Sequence, residues 1–146
     1  MKNLLKVASK PAVAVPKNAT VMEAVRTMLG ARVGAAAVVD DDGKLCGVFT
    51  ERDVMARVVL EKRNPETTKV VEVMTANVMT IHPDADPHDA LHTMIEKHFR
   101  HLPVVDAQGK VIAILSMRHL MREHIDELRN SVGALENYIS TDGIGG

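Results

Sequence analysis

Tryptophan is absent from this chain, and Phe49, Phe99 and Tyr138 are its only large aromatic residues, 2% of 146. That removes the stacking platforms on which single-stranded nucleic acids are held. An excess of either charge is missing too: 18 Lys and Arg stand against 19 Asp and Glu, which leaves no electrostatic footprint for a polyanion. Nucleic acid is thereby disfavoured as a main partner. With a single cysteine, Cys46, the chain forms no internal disulfide; Cys46 stands in an apolar strand pattern, reads as a small buried hydrophobe and fits a reducing compartment. No window approaches eighteen apolar residues, and Met1 to Val7 carries two lysines without an apolar core of secretory length, so the expectation is a cytoplasmic protein with no membrane partner.

What is present is a 46% hydrophobic content, enough for one compact domain or two small interlocked units. Leu4, Leu5 and Val7 make a short lead-in ending before Pro11, and Ala12 to Val15 reads as a strand. Thr20 caps a helix with Glu23 at the capping-box position; Val21, Ala24, Val25, Met28 and Leu29 form its apolar face, and Gly30 and Gly34 flank its end. Ala35 to Val39 is a buried strand, Asp40-Asp41-Asp42-Gly43 a hairpin turn, and Lys44 to Phe49 the returning strand.

Gly47-Val48-Phe49-Thr50-Glu51-Arg52-Asp53 lies where that strand hands over to a helix running to about Glu61. Unpaired N–H groups at a helix start favour anions, and the Thr50 hydroxyl adds a donor for a phosphate oxygen. One turn on, the Asp53 carboxylate is placed where it can accept from two vicinal hydroxyls of a ribose. Thr-x-x-Asp is equally close to an ordinary capping box, in which both side chains serve only the helix's own N–H groups. Both readings stay open at this point.

After a polar stretch from Arg63 to Lys69 and a helical turn at Val70 to Met74, the pattern restarts. Val78 to Ile81 matches the first strand, Asp86-Pro87-His88-Asp89 opens a helix with apolar Leu91, Met94 and Ile95, and His101 to Val105, Asp106 to Gly109 and Lys110 to Leu115 repeat the hairpin before Ser116 opens the last helix. Sliding the chain on itself by 66 positions pairs Ala24 with Ala90, Met28 with Met94, Val38-Val39-Asp40 with Val104-Val105-Asp106, Gly43-Lys44 with Gly109-Lys110, and Arg52 with Arg118. No gap is needed between Val15 and Met55, the signature of a duplicated supersecondary unit. Each unit alone buries too little surface, so the two are expected to pack around shared apolar sheets.

The stretches Gly34 to Asp40, Gly47 to Asp53 and Arg100 to Asp106 resemble those of a tandem pair of CBS domains, the Bateman module, over about residues 10 to 125, in the manner of small stand-alone bacterial CBS-pair proteins. The resemblance implies an α/β (α+β) fold of two pseudo-symmetric β-α-β-β-α repeats packed through their sheets: repeat 1 at 10–62, a linker and short helix at 63–74, repeat 2 at 75–125, and a C-terminal helix extension and tail at 126–146. It implies a non-enzymatic sensor of adenine nucleotides, AMP or ATP, and in some members NAD(H) or S-adenosylmethionine, bound in clefts between the repeats. Adenine would lie near Val15 and Ala35, phosphate would meet Thr50, Arg52, Arg100, His101 and Arg118, and ribose would meet Asp53. The family's ribose-phosphate motif is complete at Gly47, Thr50 and Asp53. In repeat 2 Ser116 remains, but Ala113 replaces the glycine and His119 the acid. An imidazole makes at most one hydrogen bond per nitrogen and is a poor grip for a diol, so the second cleft would be selective for another ligand.

Seven histidines raise a metal reading, with His88 and His92 four apart and His98 and His101 bracketing a helix end; no neighbouring Cys or paired acid completes a ligand set, and no metal is expected. Methionines on apolar helix faces (Met22, Met28, Met94, Met121) read as core or interface. The last helix continues through Ile125, Leu128, Val132, Leu135 and Ile139, a stripe that either folds back on its own module or packs against a partner; the resemblance to CBS pairs, which commonly associate in twos, implies a homodimer. The alternatives to a sensor of AMP or ATP are an NAD(H)-binding redox sensor and a ligand-free dimerising adaptor; either way the regulated protein is encoded elsewhere.

Overall fold

The computed structural model describes residues 3–8 and 12–138. Pro11, Ile139 and the tail after it lie outside the described residues. The elements run α1 (Leu4–Val7), β1 (Ala14–Pro16), α2 (Val21–Ala31), β2 (Ala35–Val39), β3 (Leu45–Thr50), α3 (Glu51–Asp53, continuing as π-helix over Val54–Val59), α4 (Val70–Val73), α5 (Pro87–Lys97), β4 (His101–Val105), β5 (Val111–Ser116) and α6 (Met117–Tyr138).

The caps foreseen from sequence form. Thr20 and Glu23 exchange the two bonds of a capping box at α2, and Asp86 with Pro87 at the first helical position opens α5. The end of α2 differs from expectation. Gly30 stays inside the helix, and the chain leaves it through Arg32 in the left-handed conformation (φ 57°), as α5 leaves through His98 (φ 61°).

In the first half β1 pairs in parallel with β2, and β2 runs antiparallel to β3. In the second half β4 and β5 form the matching hairpin, and both hairpins slip register at equivalent places, between Val38 and Val39 and between Val104 and Val105. Gly43 (φ 80°) and Gly109 (φ 83°) supply the left-handed turn position in each. The two turns meet: Lys44 bridges Lys110, and the N–H of Leu45 donates to the carbonyl of Gly109 at 3.3 Å. The strand expected over Val78 to Ile81 is not formed. Only Ile81 joins the sheet, donating to the carbonyl of Pro103 and accepting from the N–H of Val105; the preceding rung would need an N–H from residue 103, which proline lacks.

Two apolar clusters carry the fold, and each borrows its lead helix from the other half. Val70 and Val73 of α4, wholly buried, complete the cluster of Val15, Val21, Ala24, Met28, Ala36, Val38 and Phe49 in repeat 1. Leu4 and Ala8, around α1, complete the cluster of Ala90, Met94, Leu102, Val104, Leu115 and Leu120 in repeat 2. Leu4 and Val70 are themselves 66 positions apart, so the duplication includes the lead helices. Burying a side chain such as Leu4 contributes about 1.5–3 kcal/mol, and here that stabilisation ties the halves together. Cys46 differs from expectation: it is half-buried at the edge of the first cluster.

Beyond Asp53 the helix widens into six π-helical residues, ending with the N–H of Leu60 donating to the carbonyl of Met55 rather than continuing as α-helix to Glu61. No helix among the described residues is long and apolar enough to cross a membrane.

Candidate functional site

The two repeats carry equivalent strand-to-helix junctions that differ in what their polar groups do. In repeat 1 the capping-box alternative is realised. The N–H of Asp53 donates to Thr50 Oγ1 at 3.2 Å, and the N–H of Thr50 donates to Asp53 Oδ2 at 3.0 Å. Thr75 Oγ1 donates to both carboxylate oxygens, and Arg57 Nε stands 3.7 Å from Oδ1. Asp53 is 6% exposed, so its charge is buried and fully engaged by its own chain.

Close packing fixes this arrangement. The segment Met74-Thr75 lies over β3, bridging Val48 through two 2.9 Å bonds. A Cβ on Gly47 would stand 2.6 Å from the Thr75 carbonyl oxygen and 2.7 Å from Met74 Sδ. The glycine of the motif is therefore required by the chain's own approach to β3. Arg57 Nη1 donates to the Met74 carbonyl at 2.6 Å and holds the same segment from the other side.

In repeat 2 the junction is open. The N–H of His119 donates to Ser116 Oγ at 3.1 Å, but no bond returns from the imidazole: His119 Nδ1 is buried with no hydrogen-bond partner among the described residues. Ser116 and His119 line a cavity of about 800 Å³ formed by both halves of the chain. Repeat 1 contributes Val13, Arg32, Val33, Gly34, Ala35 and Glu51, and repeat 2 contributes Arg100, His101, Ile114, Ser116 and one face of the first four turns of α6. Volumes of this order hold drug-sized ligands and cofactors.

The cavity is strongly cationic. Arg32, Arg100, Arg118, Arg122 and Arg129 face it, against only Glu51 and Asp126. Among the described residues none of these five guanidiniums is within ion-pair distance of a carboxylate. Their source is local: Arg118, Arg122 and Arg129 lie on one face of α6, and Arg32 and Arg100 border the strands β2 and β4.

Two histidines sit in this field. His101 is held below its ordinary value of 6.5 by burial, opposed by Glu51 and assisted by Arg100 and His119. His119 is lowered by burial and then by Arg122 and Arg118. Both imidazoles are neutral at neutral pH, each offering one donor and one acceptor nitrogen.

Of the residues singled out from sequence, the structure brings Ala35, Arg100, His101, Ser116 and Arg118 into this one cavity. Thr50 and Asp53 are occupied in their cap, and Arg52, exposed on α3, does not line the cavity. Val15 is buried in the first core and borders a separate shallow depression beside Asn18 and Glu23. Sequence reasoning missed Arg122, Arg129, Arg32, Val13 and Val33. The arginine spacing 118, 122, 129 on a continuing helix was the signal for the first two.

The CBS domain family model matches residues 4–60 and 70–126, and the chain belongs to the CBS-domain family as a tandem pair. It is 38% identical over 121 residues to the CBS domain-containing protein CBSCBSPB5 of Arabidopsis thaliana, 83% of this chain and 22% of that protein. The chain thus spans about a fifth of the length of that curated relative. Among solved structures it is similar to the CBS domain pair of protein MJ0100 in complex with 5′-methylthioadenosine and S-adenosyl-L-methionine (TM-score 0.78, 25% identity, covering 86% of this chain and 98% of that one). It is similar also to CBSX2 in complex with AMP (TM-score 0.73, 25% identity, with the same coverages).

Proposed function

We propose that this chain is a non-enzymatic regulatory module that binds an adenine nucleotide in the cavity between its repeats. The reading is carried by one observation: an 800 Å³ cavity with an apolar wall and Arg32 from repeat 1, and four more guanidiniums, Ser116 and His119 from repeat 2 and its last helix. Val13, Val33, Ala35 and Ile114 suit the flat, apolar faces of a purine. Ser116 Oγ and the unpartnered Nδ1 of His119 are suited to ribose hydroxyls or a phosphate oxygen. Arg118 and Arg122, with Arg100 across the cavity, suit the phosphates, since guanidinium binds phosphate bidentately and keeps its charge at any working pH. The adenosine-based ligands of the two solved relatives, AMP in one and S-adenosylmethionine with methylthioadenosine in the other, support the class. Five guanidiniums exceed what one phosphate requires, which favours ATP over AMP and admits NAD(H) as a second reading.

A ligand touching both repeats acts as a switch if it binds one arrangement of the halves better than another. In this reading the module works as a homodimer. Large apolar residues remain exposed in repeat-related pairs, Leu29 with Ile95, Met55 with Met121 and Val59 with Ile125, as expected of a symmetric face awaiting a second copy. The signal would then pass to a partner protein.

Co-crystallisation with AMP or ATP tests the reading. Density with the base against Ala35 and the phosphates on Arg118 supports it; density at Thr50 and Asp53 with this cavity empty overturns the site assignment.

A further inference from the structure

Sequence spacing sets His88 beside His92 and finds no ligand set. Folding sets it elsewhere. Packing of α5 on α6 brings His88, the second residue of α5, against His124 and Glu127, three apart on α6 and on a different face from the arginines of the cavity. One ligand atom from each of the three lies within 4.8 Å of the other two.

The geometry is that of convergent ligands. His88 Nε2 stands 3.7 Å and His124 Nδ1 3.9 Å from the same oxygen, Glu127 Oε2. Both separations exceed a hydrogen bond. The rings meet edge to face, with centroids 5.9 Å apart and planes at 85°, so they point inward without stacking. Among the described residues His124 Nδ1 is buried with no hydrogen-bond partner, an unmet lone pair or proton at the centre of the group. The other nitrogen of His88, Nδ1, faces Asp86 Oδ1 at 3.8 Å.

We propose that His88, His124 and Glu127 form a binding site for a divalent transition-metal ion, with Zn²⁺ the best match. Two imidazoles and a carboxylate are borderline ligands that suit zinc and disfavour magnesium and calcium, which want oxygen alone. Bonds of about 2.0–2.2 Å in a tetrahedron separate ligand atoms by about 3.3–3.6 Å, so rotamer adjustment of the partly exposed His88 suffices to close the shell. The carboxylate of Asp86 behind His88 is the outer partner that orients a metal-bound imidazole. Three protein ligands leave a fourth position for water. The ion would staple the start of α5 to α6 and so hold the C-terminal helix at a set angle to repeat 2.

The test uses the full chain stripped with a chelator, titrated with Zn²⁺ by calorimetry and with Co²⁺ by its visible absorption. One ion per chain is expected, with the intense bands of four-coordinate cobalt. His88→Ala and His124→Ala should each weaken Zn²⁺ binding by about tenfold or more, Asp86→Asn by about tenfold, and His92→Ala not at all. Zn²⁺ should raise the melting temperature of the wild type and not of the His88→Ala/His124→Ala double variant, whose far-ultraviolet circular dichroism reports that it is folded. No uptake by the wild type, or undiminished uptake by the folded double variant, overturns the proposal.

Discussion

The hydroxyl of Thr75 donates to both carboxylate oxygens of Asp53, at 3.1 and 3.3 Å, from a segment 22 residues away. The acid that completes the family's ribose-phosphate motif is thereby turned to structural use in this conformation, locking the segment after α4 onto repeat 1. At the equivalent junction His119 leaves its ring nitrogen unpartnered beside the cavity. The motif that matches the family better is the closed one, and the altered one is open.

Asp53→Asn should therefore act on stability first. Losing the charge that Thr50, Thr75 and Arg57 serve should cost about 1–3 kcal/mol in urea denaturation, with nucleotide affinity unchanged. A large loss of affinity at unchanged stability would place the ribose grip in repeat 1 instead.

Gly47→Ala should destabilise by about 1–3 kcal/mol, because its Cβ would meet backbone at 2.6 Å and the Met74 sulfur at 2.7 Å. Gly30→Ala is the contrasting control. It lies inside α2 with nothing within 4 Å of a built Cβ, so the same change should stabilise by about 0.5–1 kcal/mol. Thermal melts of the two variants should move in opposite directions.

Arg118→Ala and Arg122→Ala should each lower affinity for ATP by about tenfold, the effect of one charged hydrogen-bonding partner. The remaining binding should depend less on salt. Arg52→Ala, at the position equivalent to Arg118 but outside the cavity, should bind as the wild type does.

The lowered pKa of His101 and His119 gives a signed pH dependence. Burial holds both below 6.5 in the folded chain, so the unfolded chain binds more protons as pH falls through that value. Stability without ligand is thus fully present above about pH 6.5 and declines toward acid until the folded pKa values are passed. Nucleotide phosphates placed beside these rings favour the protonated form, so affinity should rise as pH falls from 8 to 6. His119→Gln should flatten both trends, read by denaturation and by titration calorimetry at a series of pH values.

Leu29→Glu together with its repeat counterpart Ile95→Glu, neither of which lines the cavity, should shift sedimentation toward the monomer without loss of helix content. Both residues are more than two-fifths exposed, so the charges cost little within the chain and act on the face between copies.

Much of the fold was legible because duplication made each half predict the other. The capping boxes, the hairpin turns Asp40 to Gly43 and Asp106 to Gly109, and the buried strands all rest on contacts within a few residues. What was not legible depends on long-range packing. Nothing local to Val70 says that its side chain fills the core of repeat 1, or that Leu4 fills that of repeat 2. Nothing local to Thr75 says that it will claim the carboxylate of Asp53. The strand lost at Val78 to Ile81 shows the limit of symmetry arguments, since the equivalent segment in repeat 1 pairs along three residues. Of the residues lining the cavity, Ala35, Arg100, His101, Ser116 and Arg118 were named through the family resemblance, whereas Arg122 and Arg129 required knowing which face of α6 turns to the cavity. His88, His124 and Glu127 were beyond spacing altogether, because two different helices supply them.

Calorimetric titration of the ligand-stripped chain with AMP, ATP, NAD, NADH and S-adenosylmethionine, on the wild type, the Arg118→Ala/Arg122→Ala variant and Asp53→Asn, decides whether the open cavity of repeat 2 is the nucleotide site. Saturable binding of an adenine nucleotide that survives in Asp53→Asn and collapses in the arginine variant is the predicted result. Heat from none of the five ligands, or binding lost in Asp53→Asn and kept in the arginine variant, would contradict it.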